Sequence, residues 1–103
     1  MLKHKFKAIR CERDGKKFPS KLEARYYDQL KIRQQSGEVI FFLRQIPFDI
    51  PGNIKSFCDY QVFLADGSVE FVDTKGIDTP VSANKRKIVE SLYPVKIKIV
   101  SKV

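Results

Sequence analysis

The chain has 103 residues, 43% of them hydrophobic and 12% aromatic, and its 20 Lys and Arg against 12 Asp and Glu give a formal net charge of +8. That length suits a single domain over 1–103 with one modest core, and the apolar content excludes a disordered, charge-swollen chain. No long apolar run and no signal-peptide pattern occurs, so the expectation is a cytoplasmic protein with no membrane partner.

A basic excess suits a phosphate backbone, because each neutralised phosphate releases condensed counterions and so drives binding. Cys11 and Cys58 are far apart and form no CxxC pair, and they are expected to be reduced, partly buried thiols. With His4 the single histidine, zinc sites and histidine bases find no support, and nothing calls for a small-molecule cofactor.

The first 18 residues read as a basic arm and hairpin, with the core in 19–103. Asp14-Gly15 is a turn signal inside a hairpin expected over 6–18, with Lys3, Lys5 and Lys7 as its basic arm, available to nucleic acid. Ser20 is a good helix N-cap, and Glu23 three residues on completes a capping box. Leu22, Tyr26, Tyr27 and Leu30 then recur at helical spacing until Gly37. Tyr26, Tyr27 and Phe41 are expected in the core rather than as base-stacking platforms.

Glu38–Leu43 is a dense strand, continued by 45–50, interrupted by Pro47 and closed at Pro51-Gly52. A hairpin follows through Ala65-Asp66-Gly67. Residues 81–93 predict a second helix with Ile88, Val89 and Leu92 as its apolar side, and 95–100 alternates as a strand. A helical link between the hairpin and that strand implies parallel pairing. Lys96 and Lys98 are placed facing solvent on a sheet edge, where lysine discourages aggregation. The fold class is α/β, an α-β-β-β-α-β core with a mixed sheet flanked by helices.

Register decides whether the hairpin acids cooperate. A two-residue turn at Asp66-Gly67 would put Asp59 and Asp73 on opposite faces. A three-residue Ala65-Asp66-Gly67 loop, with Gly67 left-handed, pairs Leu64 with Ser68 and sets Asp59 opposite Asp73. Directly paired residues have Cβ atoms about 5 Å apart, close enough for two carboxylates to share one cation. Lys75 points the same way as Asp73, and Glu70 the other way.

Such a set suits phosphodiester hydrolysis. Mg²⁺ or Mn²⁺ on carboxylate oxygens stabilises phosphate charge and activates water, and the Lys75 ammonium stabilises the transition state. The plainer alternative is a buried Asp–Lys ion pair. Glu23 is the fourth candidate, although the capping box alone accounts for a glutamate there. Lys85, Arg86 and Lys87 form a cluster able to grip phosphates flanking the cleaved bond.

These stretches resemble the PD-(D/E)XK nuclease superfamily, and more closely a small phage- and prophage-encoded group of nuclease-like proteins. The resemblance rests on Phe6-Lys7-Ala8-Ile9 with Asp14-Gly15, on Ser20-Lys21-Leu22-Glu23-Ala24-Arg25-Tyr26, on Cys58-Asp59-Tyr60 and on Asp73-Thr74-Lys75-Gly76. It implies catalytic roles for Glu23, Asp59, Asp73 and Lys75, and metal ligation by Asp59, Asp73, Glu23 and the Thr74 carbonyl. Cys58 stands where the motif's proline would be. The implied activity is a metal-dependent deoxyribonuclease in a bacterial host cytoplasm, cutting DNA in phage recombination, repair or replication. Branched DNA, as in Holliday-junction resolution, is one substrate, and a homodimer is expected because cutting two strands symmetrically needs two sites. The alternatives are a nucleic-acid-binding module without turnover and a regulatory protein that binds another protein.

Overall fold

The computed structural model describes residues 11–103; Lys3, Lys5, Lys7 and the start of the expected hairpin lie outside them. Strands β1 (Cys11–Arg13) and β2 (Lys16–Phe18) pair antiparallel around Asp14-Gly15, both at positive φ as a tight hairpin turn requires. Helix α1 (Lys21–Gln35) follows. Ser20 Oγ accepts from the Glu23 N–H at 3.1 Å, and Gly37 at φ +88 closes the helix, with the Glu38 N–H reaching the Arg33 carbonyl at 3.0 Å. That is the left-handed glycine stop, and it caps carbonyls that would otherwise be orphaned.

Strands β3 (Val39–Ile50), β4 (Ile54–Leu64), β5 (Val69–Thr74) and β6 (Ile97–Val100) form one four-stranded sheet in the order β3-β4-β5-β6. β3 to β5 are antiparallel, while β5 and β6 are parallel across helix α2 (Pro80–Leu92). The order α1-β3-β4-β5-α2-β6 is the α-β-β-β-α-β core expected from periodicity. Pro47 does not interrupt β3, because β3 is an edge strand and needs no outward N–H there. Thr79 caps α2 by accepting from the Ser82 N–H at 3.2 Å, with Pro80 in the first turn, so the helix starts and ends one residue earlier than the pattern suggested. β6 starts at Ile97, where pairing with Phe71 begins and the Glu90 carboxylate takes the Ile97 N–H at 2.7 Å. Lys98 is exposed on this edge strand, and Lys96 is exposed just before it.

Among the described residues, two clusters form the core. Tyr26, Tyr27 and Leu30 of α1 pack on Phe18, Val39, Tyr60, Val62 and Val72. Phe48, Ile50, Cys58 and Val89 form the second, joined by Phe71, Tyr93, Val95 and Ile97. Adjacent Phe71 and Val72 fall in different clusters, so α1 and α2 cover opposite faces of the sheet. Of the expected apolar side of α2, Val89 alone is buried; Ile88 and Leu92 stay exposed, because Tyr93 and Val95 complete that cluster. Phe41 corrects another expectation. It is 43% exposed and stacks on Phe63 at 4.3 Å on the part of the sheet surface facing away from α1. No helix among the described residues is long and apolar enough to cross a membrane.

Both long strands exchange faces midway. Phe42 packs with the α1 cluster while Ile46, Phe48 and Ile50 pack with α2, although regular alternation would keep all four on one side. In β4 the same exchange separates Tyr60 from Cys58. The crossover lies at Gln45 and Asp59, the opposed residues between the Arg44–Tyr60 and Ile46–Cys58 pairs. The candidate site is built there.

Candidate functional site

The hairpin loop sets the register. Gly67 is left-handed at φ +91, and Leu64 and Ser68 are joined by a 2.9 Å backbone hydrogen bond. Tyr60 pairs with Val72 and Phe63 with Val69, which carries Asp59 to the level of Asp73. At that level the carboxylates take over from the backbone ladder. The Asp59 N–H donates to Asp73 Oδ1 at 2.9 Å, and Asp59 Oδ2 accepts from the Thr74 N–H at 2.8 Å and from Thr74 Oγ1 at 2.9 Å.

Glu23 forms only half of a capping box. Its N–H is capped by Ser20, but its carboxylate turns inward, 3% exposed, where Oε2 accepts from Gln45 Nε2 at 3.0 Å and faces Arg44 at 3.4 Å. Gln45 Nε2 also lies 3.3 Å from Asp59 Oδ1, so one carboxamide bridges the helix acid and the strand acid. Gln45 has a left-handed backbone at φ +54, and sequence patterns give no hint of it, since a glutamine in an apolar strand carries no signal for that conformation.

Beside Asp73 lies a cleft of about 220 Å³, lined among others by Lys75, Ser82, Lys85 and Arg86. Glu23 and Asp59 do not line it; Asp59 reaches it through its hydrogen bond to Asp73. Lys75 Nζ rests 3.5 Å from Ser82 Oγ. Arg86 is held bidentately by Asp78, at 2.7 and 3.1 Å, and Lys55 by Asp49 at 2.7 Å. Among the described residues Lys75 and Lys85 make no ion pair, so the cleft keeps two uncommitted ammonium groups. Lys87 is exposed away from the cleft lining.

Burial dominates the electrostatics. Desolvation, then the Asp59 charge, push the Glu23 carboxyl above its ordinary range, against the donors Gln45 and Arg44. Asp73 is also raised, by burial first and the Asp59 charge as well, while the Asp59 N–H and Lys75 pull it down. Burial and the Asp73 charge push the Cys58 thiol up to about 12, which leaves it an inert packing residue. Glu70, expected away from the site, lies on the α1 side, where burial first and the Glu70 charge as well raise Tyr26.

A pH dependence follows for the metal-free protein. An acid whose folded pKa is raised contributes stability that is full below the unfolded pKa and is lost as pH rises through the folded value. For Glu23 and Asp73 that window opens in the ordinary carboxylate range and extends above it. Melting temperatures in EDTA should therefore decline between mildly acidic and neutral pH, and Glu23→Gln should flatten the decline. An identical slope in the variant would show that Glu23 is not a desolvated acid.

Among the described residues no three His, Cys, Asp or Glu groups converge as a closed metal cage. The hard oxygen donors nevertheless suit Mg²⁺ or Mn²⁺, which keep several waters and commonly rest on one or two carboxylates plus substrate phosphate. Asp59 and Asp73 are two such carboxylates, brought together across β4 and β5. No curated protein and no solved structure matches the chain. The model of the family described as protein of unknown function (DUF1064) matches residues 3–103, nearly the whole length, and the chain belongs to that family.

Proposed function

We propose that this protein is a metal-dependent deoxyribonuclease of the PD-(D/E)XK kind, hydrolysing phosphodiester bonds at the cleft beside Asp73. One observation carries the reading: Asp59 and Asp73 meet through a 2.9 Å hydrogen bond across β4 and β5, and Lys75 shares the Asp73 cleft. Two mutually repelling, partly desolvated acids are costly to keep together, and a cation offsets that cost. Asp59, Asp73 and the Thr74 carbonyl would hold Mg²⁺ or Mn²⁺, with Glu23 nearby. The cation supplies Lewis-acid stabilisation of phosphate charge and makes water more acidic. Lys75, steadied by Ser82, orients the attacking water and neutralises developing charge. Lys85 grips a neighbouring phosphate. Duplex or four-way-junction DNA would require a homodimer to present two sites.

The test is nicking of linear, flap and four-way-junction DNA with Mn²⁺, each beside an EDTA control. Cleavage of none of them by protein that demonstrably binds Mn²⁺ would refute the reading. A second reading, binding without turnover, draws on the hydrogen bonds that already occupy Asp59 and Asp73 as a latch between the strands. It predicts salt-sensitive DNA binding with no metal dependence.

A further inference from the structure

Among the described residues, three that are not glycine have left-handed backbones: Asp14, Gln45 and Asn53. Asp14 and Asn53 lie in turns, and their short polar side chains tolerate that conformation. Gln45 does not fit this pattern. It lies inside the 12-residue strand β3 at φ +54, and its exposed side chain gains no burial in return. A strained residue persists only when its surroundings hold it there, and such outliers gather at functional sites.

The geometry points to Gln45 as the positioning residue of the candidate metal site, an assignment that rests on the nuclease reading above. Its backbone marks the level at which β3 and β4 exchange faces, with Asp59 opposite. Its carboxamide nitrogen donates to Glu23 Oε2 at 3.0 Å and to Asp59 Oδ1 at 3.3 Å. A neutral donor between two carboxylates lets them approach without adding a cation that would compete with the metal. The left-handed turn aims that donor between them. With the bridge gone, Glu23 would keep Arg44 as a partner and Asp59 would keep Thr74, but nothing would tie the helix acid to the strand acid. Gln45 does not line the cleft; it acts through the two acids.

Backbone and side chain can be separated. Asparagine favours the left-handed region but is one methylene too short to bridge both acids, and glycine adopts the same φ without strain. Gln45→Asn and Gln45→Gly should therefore melt at or above the wild-type temperature in EDTA. Their affinity for Mn²⁺ alone, titrated calorimetrically into the metal-free protein, should fall about tenfold or more, as it does when residues that orient metal ligands are lost. Unchanged affinity in both variants would overturn the assignment while leaving the nuclease reading intact. A melting temperature that falls in step with affinity would overturn it too, by making Gln45 merely structural. No Mn²⁺ heat from the wild type would remove this inference and the metal site together.

Discussion

Asp73→Asn should reduce Mn²⁺-dependent nicking by about 10²–10³-fold or more, and Lys75→Ala should do the same by a different route. The asparagine keeps a side-chain oxygen where Asp73 Oδ1 accepts the Asp59 N–H, so the fold is retained. It removes an acid that burial already pushes toward neutrality, and metal-free stability should hold or rise. What is lost is one of two hard anionic donors, so Mn²⁺ affinity falls together with activity. Lys75→Ala removes a cation from the same cleft. Mn²⁺ affinity should then hold or rise while turnover collapses, because the ammonium acts on the phosphate and water rather than on the metal. Calorimetry beside a supercoiled-plasmid assay separates the two patterns. Wild-type nicking rates in Asp73→Asn would assign the activity to a contaminant and remove the basis for the site.

The opposition of Asp59 and Asp73 was legible because it depends on local chemistry. Gly67 supplies a left-handed residue, the loop closes at three residues, and the two-residue period of a strand does the rest. Helix α1 was legible for the same reason, since Ser20 and Gly37 act on their own neighbours. Glu23 was ambiguous, since one glutamate satisfies both a cap and a site, and tertiary contacts alone decide which way its carboxylate turns. The clamp of Asp78 on Arg86 was hidden by a loop and a helix start between them. Gln45 was out of reach altogether. Its conformation depends on two strands exchanging faces between two helices, a demand that no short window of sequence encodes.

Tyr60 is where core and site share one residue, and Tyr60→Phe and Tyr60→Ala should differ sharply. The ring is fully buried, edge-on to Tyr26 at 5.2 Å and to Phe42 at 6.0 Å. Its hydroxyl donates to the Glu23 carbonyl at 2.7 Å, and burial together with the Glu23 charge pushes its pKa upward, so it stays a donor at any working pH. Tyr60→Phe keeps the ring and loses one buried hydrogen bond, at a cost of about 1–2 kcal/mol. For a domain of this size that is a drop of roughly 5–10 °C in melting temperature. Tyr60→Ala also opens a cavity beneath α1, and losses of about 3–5 kcal/mol are usual for a buried aromatic. Small domains have only about 5–15 kcal/mol in total, so the alanine variant should be largely unfolded at 37 °C. Since the hydroxyl holds the Glu23 backbone and not the hairpin acids, Tyr60→Phe should keep most of its Mn²⁺ affinity below its melting point. An unchanged melting temperature for Tyr60→Phe would mean that α1 is not seated on β4 through this phenol, and the buried placement of Glu23 would then lose its anchor.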